Sequence, residues 1–205
     1  MIKYYQLEVA LVDIEPKIFR VFTLPADASF FDLHTAIQLA CGWENYHAYL
    51  FENEDEEAIA KPYSSEFDDD DADDIPDDVA LKLSNYFQDG RKIKKCSYLY
   101  DFSDRWLHSV TLQHVFTDEK IFKREFLDGA KSFPPENCGG LRGYEELRAL
   151  KKTGKIPESI DWNDAANIIE LMEEWEPDEF NFETIKAAFD LPLYPIHVSS
   201  KVKSA

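Results

Sequence analysis

The amino-acid sequence predicts an α+β protein with a mainly antiparallel or mixed β-sheet. Three observations carry this prediction. The first quarter of the chain has an N-terminal β-β-α-β pattern, the middle contains two long β-rich runs that form a central β-hairpin, and the last third indicates C-terminal helices. Strands and helices do not alternate regularly along the chain, which argues against a parallel βαβ fold.

The first two elements are strands. Residues 4–12 alternate between apolar and polar side chains, which is typical of a half-buried strand, and Pro16 ends this run. Residues 17–24 are rich in β-forming residues and are apolar on both faces, which indicates a more central strand. We expect the two strands to pair in antiparallel fashion.

A helix follows these strands. Ser29 and Asp32 have the spacing of a capping box, although the acid is shorter than usual. Apolar residues then recur at intervals of three and four as far as Cys41, and Gly42 is a natural C-terminal stop. Residues 47–51 favour a short third strand that leads into an acidic segment.

The acidic segment, residues 52–78, contains 14 of the 41 acidic residues and only one basic residue, Lys61. The rest of the chain has 27 acids and 21 bases, so its net charge is −6, against −19 for the whole chain. Low hydrophobicity, charge of one sign and the lack of a period predict a mobile loop. We predict a single domain over residues 1–190, with two subdomains, 1–51 and 79–190, as the alternative, and a tail at 191–205.

The clearest strands are residues 96–102 and 106–115, which predict a hairpin. If three residues, 103–105, form the loop, aromatic side chains of the two strands face each other. A four-residue loop would shift the register by one residue and remove this pairing. With the shorter loop the side chains form an inward-facing ladder that contains His108. The predicted cross-strand pairs are Phe102 with Trp106, Tyr100 with His108, and Tyr98 with Val110.

The remaining elements are shorter or helical. Acidic residues near the start of residues 143–153, lysines near their end and Gly154 just beyond predict a helix whose charges suit its dipole. The other predicted elements are a strand at 79–83, a helical turn capped by Ser84, a strand at 121–127, and helices at 161–174 and 182–190.

Composition excludes several classes of protein. A chain of 205 residues that is 44% hydrophobic can bury a sizeable core. No apolar run approaches the ~20 residues that span a bilayer, so we expect a cytoplasmic protein and no membrane partner. Three widely spaced cysteines predict reduced thiols, and the one compact basic cluster, residues 91–95, is predicted to be a solvated turn.

Four groups of residues occur in a distinctive order. They are Gly42-Trp43 with His47 and Phe51; Tyr100-Asp101-Phe102 with Asp104, Trp106 and His108; Pro134-Pro135-Glu136 with Gly139-Gly140 and Gly143-Tyr144-Glu145-Glu146; and Asp178 with Phe180 after Pro177. Together they resemble the plasmid pRiA4b open-reading-frame-three-like family over residues 4–190. The resemblance implies an α+β fold and a link in name to plasmids and mobile elements, but no established activity. Ser103 stands where the family run usually has glycine, so a left-handed backbone there would strain it.

The sharpest chemical hypothesis is a metal site of imidazole and carboxylate ligands. Such ligands suit zinc, manganese or iron, and an open coordination position could activate water for hydrolysis. No histidine pair has the spacing that places two ligands on one helical face, so the fold would have to bring the ligands together. The candidates are His47, Asp101, Asp104 and His108, with His34 as a further one.

Each candidate also has a structural interpretation. Asp101 and Asp104 suit a turn in which aspartate side chains bind nearby backbone N–H groups. His108 suits a partly buried histidine bonded to a neighbour, and His34 suits the edge of an apolar helix stripe. Without a metal, Asp104 and His108 could still act as an acid–base pair.

A glycine-rich loop, residues 138–143, precedes the helix at 143–153. Its backbone N–H groups could bind an anion, with Gly139, Gly140 and Arg142 as the candidate residues. The loop matches neither a P-loop nor a dinucleotide fingerprint, and a tight turn that positions Tyr144 is the alternative. Cys138 is a weaker candidate nucleophile, because the sequence specifies no partner histidine.

The preferred functional interpretation is a non-enzymatic interaction or accessory module of a mobile-element-associated family, with a protein as its partner. Glycines, aromatic residues and turn-forming acids dominate the recognisable positions, and no set of acid, base and nucleophile stands out. One alternative is a metal-assisted hydrolase or nuclease that uses the Asp/His cluster and a divalent metal. Another is a nucleic-acid-binding accessory protein that binds through a face remote from the acidic segment.

Overall fold

A seven-stranded β-sheet forms the centre of the molecule in the computed structural model. The structure describes residues 1–60, 62, 75–88, 94–155, 172 and 175–191. The strands are β1 (Ile2–Leu11), β2 (Phe19–Pro25), β3 (Tyr49–Glu52), β4 (Ala58–Ala60), β5 (Lys95–Tyr100), β6 (Trp106–Asp118) and β7 (Glu125–Ala130). The described helices are α1 (Phe30–Cys41), α2 (Leu83–Tyr86), α3 (Gly140–Thr153) and α4 (Phe182–Phe189).

The strand order is β4-β3-β5-β6-β1-β2-β7, and all the pairs between these strands are antiparallel. This arrangement confirms the predicted α+β class and the predicted pairing of the first two strands. Alternate side chains of β1, among them Leu7 and Val9, enter a hydrophobic core that also contains the apolar side of α1. α4 packs against α1 and β7.

The ends of α1 confirm the capping prediction. The Ser29 hydroxyl accepts the Asp32 N–H, and the Asp32 carboxylate accepts the Ser29 N–H, so both halves of the capping box are present. Gly42 closes the helix with a left-handed backbone, φ 77°, that a residue without a Cβ adopts readily.

The hairpin has a register that differs from the prediction. Tyr100 pairs with Trp106, Tyr98 with His108, and Cys96 with Val110, because five residues rather than three join β5 to β6. A shift of two residues keeps each side chain on its original face, so the inward ladder survives. Phe102 alone leaves it and lies in the loop with 38% of its surface exposed.

The turn of the hairpin shows whether Ser103 has the left-handed backbone that would strain a serine. Asp101 and Arg105 have left-handed backbones, with φ of 56° and 55°, whereas Ser103 does not. The Asp101 carboxylate accepts the Ser103 N–H at 2.9 Å and helps to close the loop. A glycine is therefore not required at position 103 of this chain.

The described residues of the acidic segment include regular structure, which corrects the prediction of a mobile loop over the whole of residues 52–78. Residues 58–60 form β4, and Asp78 is buried at the other end of the segment. β3 and β5, from opposite sides of the segment, pair directly, so one sheet contains strands from both halves of the chain. Residues 63–74 lie outside the described residues, and the division into domains or subdomains stays a prediction.

Other boundaries differ modestly from the predictions. The predicted strand at 79–83 is a turn with one bridge, between Lys82 and Ser29, and α2 starts without a side-chain cap from Ser84. The predicted strand at 121–127 is β7, which starts four residues later. The predicted helices at 143–153 and 182–190 correspond to α3 and α4. Apart from residue 172, which is helical, the predicted helix at 161–174 lies outside the described residues, as does most of the basic cluster.

None of the helices in the described part of the chain has both the length and the apolar character needed to cross a bilayer.

Candidate functional site

A buried hydroxyl group, that of Tyr98, joins α1 to the hairpin. It lies 2.8 Å from His34 Nδ1 and accepts a hydrogen bond from Gln38 Nε2 at 3.0 Å. His34 Nε2 lies 2.9 Å from Asn45 Oδ1, and because that oxygen can only accept, Nε2 carries the proton and Tyr98 donates to Nδ1. All four side chains are buried, so His34 has a structural role in this network.

His108 lies inside the core. Its side chain is fully buried, its Nδ1 donates to the Tyr98 carbonyl at 3.1 Å, and its ring stacks on Phe133. Its Nε2 is also buried and has no hydrogen-bond partner within the described residues. Burial disfavours the charged ring and lowers the pKa of His108 to about 4. The histidine is therefore neutral at pH 7 and enclosed by aromatic rings.

The two buried histidines make stability depend on pH. Burial lowers the pKa of His34 to about 3 and that of His108 to about 4, from an ordinary value of 6.5. Below pH 6.5 the unfolded chain binds protons at these rings and the folded chain does not, so stability falls as the pH drops toward the folded-state pKa values. We expect the free energy of unfolding to decrease by roughly 3 kcal/mol between about pH 6.5 and about pH 5.

Urea unfolding at a series of pH values measures this dependence. The matched control is His114→Gln, which removes an exposed histidine of β6 and keeps both buried histidines, so the fall in stability should persist in this variant. A profile that stays flat between about pH 6.5 and about pH 5 would contradict the assignment of both rings as neutral, desolvated groups.

The structure brings two of the four predicted metal ligands together. His47 Nε2 lies 3.5 Å from Asp101 Oδ2 and 2.8 Å from Asn137 Oδ1. Within the described residues, no hydrogen bond or ion pair joins His108 to His47, Asp101 or Asp104. The predicted four-residue cluster is therefore not assembled, because the hairpin directs His108 inward while the other three lie in loops.

The carboxylates of the two aspartates in the hairpin loop accept hydrogen bonds from backbone N–H groups. Asp101 Oδ1 accepts the N–H groups of Ser103 and Asp104, at 2.9 and 3.2 Å. Asp104 Oδ2 accepts the N–H of Gly139 at 3.0 Å. The part of the chain that the structure describes contains no group of three or more His, Cys, Asp or Glu side chains placed to hold a metal ion.

In the glycine-rich loop, a carboxylate of the same chain, that of Asp104, takes the place of an external anion. This carboxylate accepts a hydrogen bond from the Gly139 N–H at the start of α3, where the partial positive charge of the helix favours an anion. Arg142 does not take part, because its exposed side chain pairs with Glu146 one turn later on α3. The alternative interpretation of the loop, a tight turn that positions the helix, describes this arrangement better.

An open cleft of about 900 Å³ lies next to these loops. Its walls come from three parts of the chain: the loop that follows α1, the loop between β7 and α3, and the segment that leads into α4. Arg20 of β2 reaches the cleft from the sheet. The aromatic side chains that line it are Trp43, Phe133, Trp175 and Phe180.

Hydrogen bonds to backbone carbonyls orient the two indole rings of the cleft. Trp43 Nε1 donates to the Pro134 carbonyl at 2.9 Å, and Trp175 Nε1 donates to the Phe133 carbonyl at 2.8 Å. Both tryptophans are largely buried, and their polar atoms are satisfied by the same loop. Their apolar surfaces are thus left to form the wall, in a geometry that the loop holds fixed.

Glu136 holds the loop between β7 and α3 against the hairpin and against the loop that follows α1. One carboxylate oxygen accepts the Tyr100 hydroxyl, and the other accepts the Glu44 N–H at 2.6 Å. Burial and the neighbouring Glu136 carboxylate raise the pKa of Tyr100, which keeps its hydroxyl protonated and able to donate. This acid therefore fixes the cleft wall.

The two cysteines nearest the cleft are protonated thiols. Burial raises the pKa of Cys41 well above its ordinary value, and burial followed by the Asp104 carboxylate raises that of Cys138 to about 12. A nucleophilic cysteine needs the opposite shift, because the thiolate is the reactive form. The hypothesis of Cys138 as a nucleophile therefore has no support from its surroundings.

Sequence reasoning missed Arg20 as a member of a site. It stands in a strand that was predicted to be central and apolar on both faces, and the arginine itself was the available signal. A charged residue in such a strand must find partners inside the protein. The sequence singles out Glu136 and Phe180 only as parts of the family resemblance.

A family model described as plasmid pRiA4b ORF-3-like protein matches residues 3–184. The chain belongs to the plasmid pRiA4b ORF-3-like family. An uncharacterised protein, y4hQ, of Sinorhizobium fredii is 32% identical over 161 residues, which cover 77% of this chain and 79% of that protein. The crystal structure of a protein of unknown function from Methanosarcina mazei Go1 is 27% identical and has a TM-score of 0.71, covering 90% of this chain and 98% of that one.

These comparisons confirm the predicted family and indicate no specific activity. In this plasmid pRiA4b ORF-3-like chain, the segments that carry the resemblance meet around the cleft. Trp43, Pro134–Glu136 and Phe180 line it directly. The remaining segment contributes Tyr100, whose hydroxyl binds Glu136 behind the wall.

Proposed function

We propose that this protein is a non-enzymatic binding module and that the cleft is its ligand site. One observation carries the proposal: three of the four segments that define the family resemblance line one cleft with aromatic walls, and the fourth binds that wall through the Tyr100 hydroxyl. Concave sites with apolar and aromatic linings and a few polar groups are typical of small-molecule binding, and their volumes range from roughly 300 to 1,000 Å³.

The chemistry of the surrounding groups supports binding rather than catalysis. His34 and His108 are buried and neutral, and the thiols of Cys41 and Cys138 have raised pKa values. Glu136 already accepts two hydrogen bonds. General acid–base or nucleophilic catalysis needs groups that can exchange protons near neutral pH and reach a substrate.

The other two functions have less support. A metal-assisted hydrolase requires a ligand cluster, and His108 is separated from the other predicted ligands by its position in the core. For nucleic-acid binding, the basic side chains at the end of α3 lie among acidic ones, and Lys151 pairs with Glu176, so this surface gives no specific reason to prefer it. We retain a cytoplasmic location and a mobile-element association as parts of the proposal, the first because three unpaired cysteines suit a reducing compartment.

A cleft-blocking variant tests the proposal. Thr184 lies on an exposed position of α4 at the cleft, so Thr184→Trp should fill part of the space without disturbing the core. The control is Gln113→Trp, which adds the same side chain at an exposed position of β6. Ligand-observed NMR with a set of small aromatic compounds measures binding to both variants and to the wild type.

We expect several compounds to bind the wild type and Gln113→Trp with similar affinity, and to bind Thr184→Trp at least roughly tenfold more weakly. The proposal would be overturned if no compound bound the wild type. It would also be overturned if both tryptophan variants bound the compounds as well as the wild type does.

A further inference from the structure

Arg20 is a buried cation that forms no ion pair with an acidic side chain among the described residues. Only 2% of its surface is exposed, although it borders the cleft. Its Nε donates to the Ala40 carbonyl at 2.9 Å, and its Nη1 donates to the carbonyls of Phe19 and Ala130 at 2.8 and 3.1 Å. All three acceptors are uncharged, so these contacts orient the guanidinium without neutralising it.

Two aromatic rings offset only part of the free-energy cost of burying the positive charge of Arg20. The guanidinium carbon lies 4.7 Å from the centre of the Phe133 ring and 5.1 Å from that of Phe180. Ring faces attract cations, but they are weaker partners than a carboxylate. Consistently, burial lowers the pKa of Arg20 to about 10, which means that the surroundings disfavour its charged form.

One nitrogen of Arg20 remains for a ligand. Within the described residues, neither a hydrogen bond nor an ion pair uses Nη2. Since Nε and Nη1 are fixed by the backbone, a ligand that reached Nη2 would meet a donor whose orientation is already set. Fixed donors in a poorly hydrated site favour an acceptor that carries charge.

The acidic side chains at the cleft limit the charge that such a ligand can carry. Glu44, Glu136 and Glu179 all line the cleft. Their negative potential opposes a dianion more strongly than a monoanion. The aromatic walls favour a flat apolar body next to the charged group.

We propose that the cleft binds small aromatic monocarboxylates, with the carboxylate accepting a hydrogen bond from Arg20 Nη2 and the ring lying against the aromatic wall. This inference rests on the proposed function and adds the chemical class of the ligand. The juxtaposition that carries it is a buried guanidinium, with no counter-ion among the described residues, at the edge of an aromatic cleft.

Three probes of matched size test the charge preference by NMR titration of the full chain at neutral pH. They are 3-phenylpropionate, its uncharged amide 3-phenylpropionamide, and the dianion phenyl phosphate. We expect the carboxylate to bind at least ~10-fold more tightly than the amide, as a charge-assisted hydrogen bond predicts, and more tightly than the phosphate. Arg20→Gln should reduce the ratio of carboxylate to amide affinity to about 1.

The wild-type ratio alone decides the question if Arg20→Gln does not fold. Equal affinity for carboxylate and amide, with both lost in Thr184→Trp, would overturn the inference and leave the binding function intact. Tighter binding of phenyl phosphate would overturn the restriction to monoanions. If none of the three probes bound, the inference would be overturned. The binding function would then be decided separately, by the NMR comparison of the wild type with Thr184→Trp on the larger set of aromatic compounds.

Discussion

The Gly143→Ala variant is expected to lose roughly 3 kcal/mol of its free energy of unfolding. A Cβ at this position would lie 1.7 Å from the Cys138 carbonyl oxygen and 2.7 Å from its carbon. Both atoms belong to the backbone, so no side-chain rotation can relieve the overlap. The first turn of α3 or the glycine-rich loop must move, and the Asp104 contact to Gly139 must move with it.

Gly154→Ala provides a matched control on the same helix. Gly154 has a left-handed backbone with φ of 66°, but a Cβ there would meet no atom within 4 Å. This change should cost about 1 kcal/mol through backbone strain alone. Chemical unfolding followed by circular dichroism compares the two variants. Equal losses would show that the close approach of Gly143 to Cys138 does not matter for stability.

Tyr98→Phe should have an effect of similar size, a loss of roughly 2 to 4 kcal/mol, for a different reason. The change removes one hydroxyl, the oxygen that binds both His34 and Gln38 in the core. His34 Nδ1 then loses its donor and Gln38 Nε2 loses its acceptor, while both stay buried. Each unsatisfied buried polar group costs about 1 to 3 kcal/mol.

The control is Tyr86→Phe, which removes a hydroxyl that donates to the Lys95 carbonyl near the surface. Water can replace that partner, so the loss should stay below about 1 kcal/mol. Urea unfolding of the two variants under identical conditions gives the difference. If Tyr98→Phe were no less stable than Tyr86→Phe, the network between α1 and the hairpin would contribute little to stability.

Local patterns predicted most of the elements, because the signals lie within a few residues. The Ser29–Asp32 capping box and the Gly42 stop both depend on neighbouring residues, and both are present. The hairpin register depended on loop length, which the sequence left open. The five-residue loop is held by the Asp101 carboxylate and by left-handed backbones at two non-glycine residues, Asp101 and Arg105.

The candidate site was harder to predict because it is assembled from distant parts of the chain. Trp43, Glu136 and Phe180 come from three loops that the packing of α1, α4 and the sheet brings together. The aspartates and histidines of the hairpin looked like a cluster in the sequence. Strand parity sends His108 inward and leaves the aspartates in the loop, where backbone N–H groups bind them.

A crystal structure of the protein with bound 3-phenylpropionate would test most directly the central claim that the cleft is a ligand site. We predict the phenyl ring inside the cleft, against Trp43 and Phe133, with a carboxylate oxygen about 3 Å from Arg20 Nη2. A ligand seated outside the cleft, with the aromatic wall left uncovered, would contradict that claim.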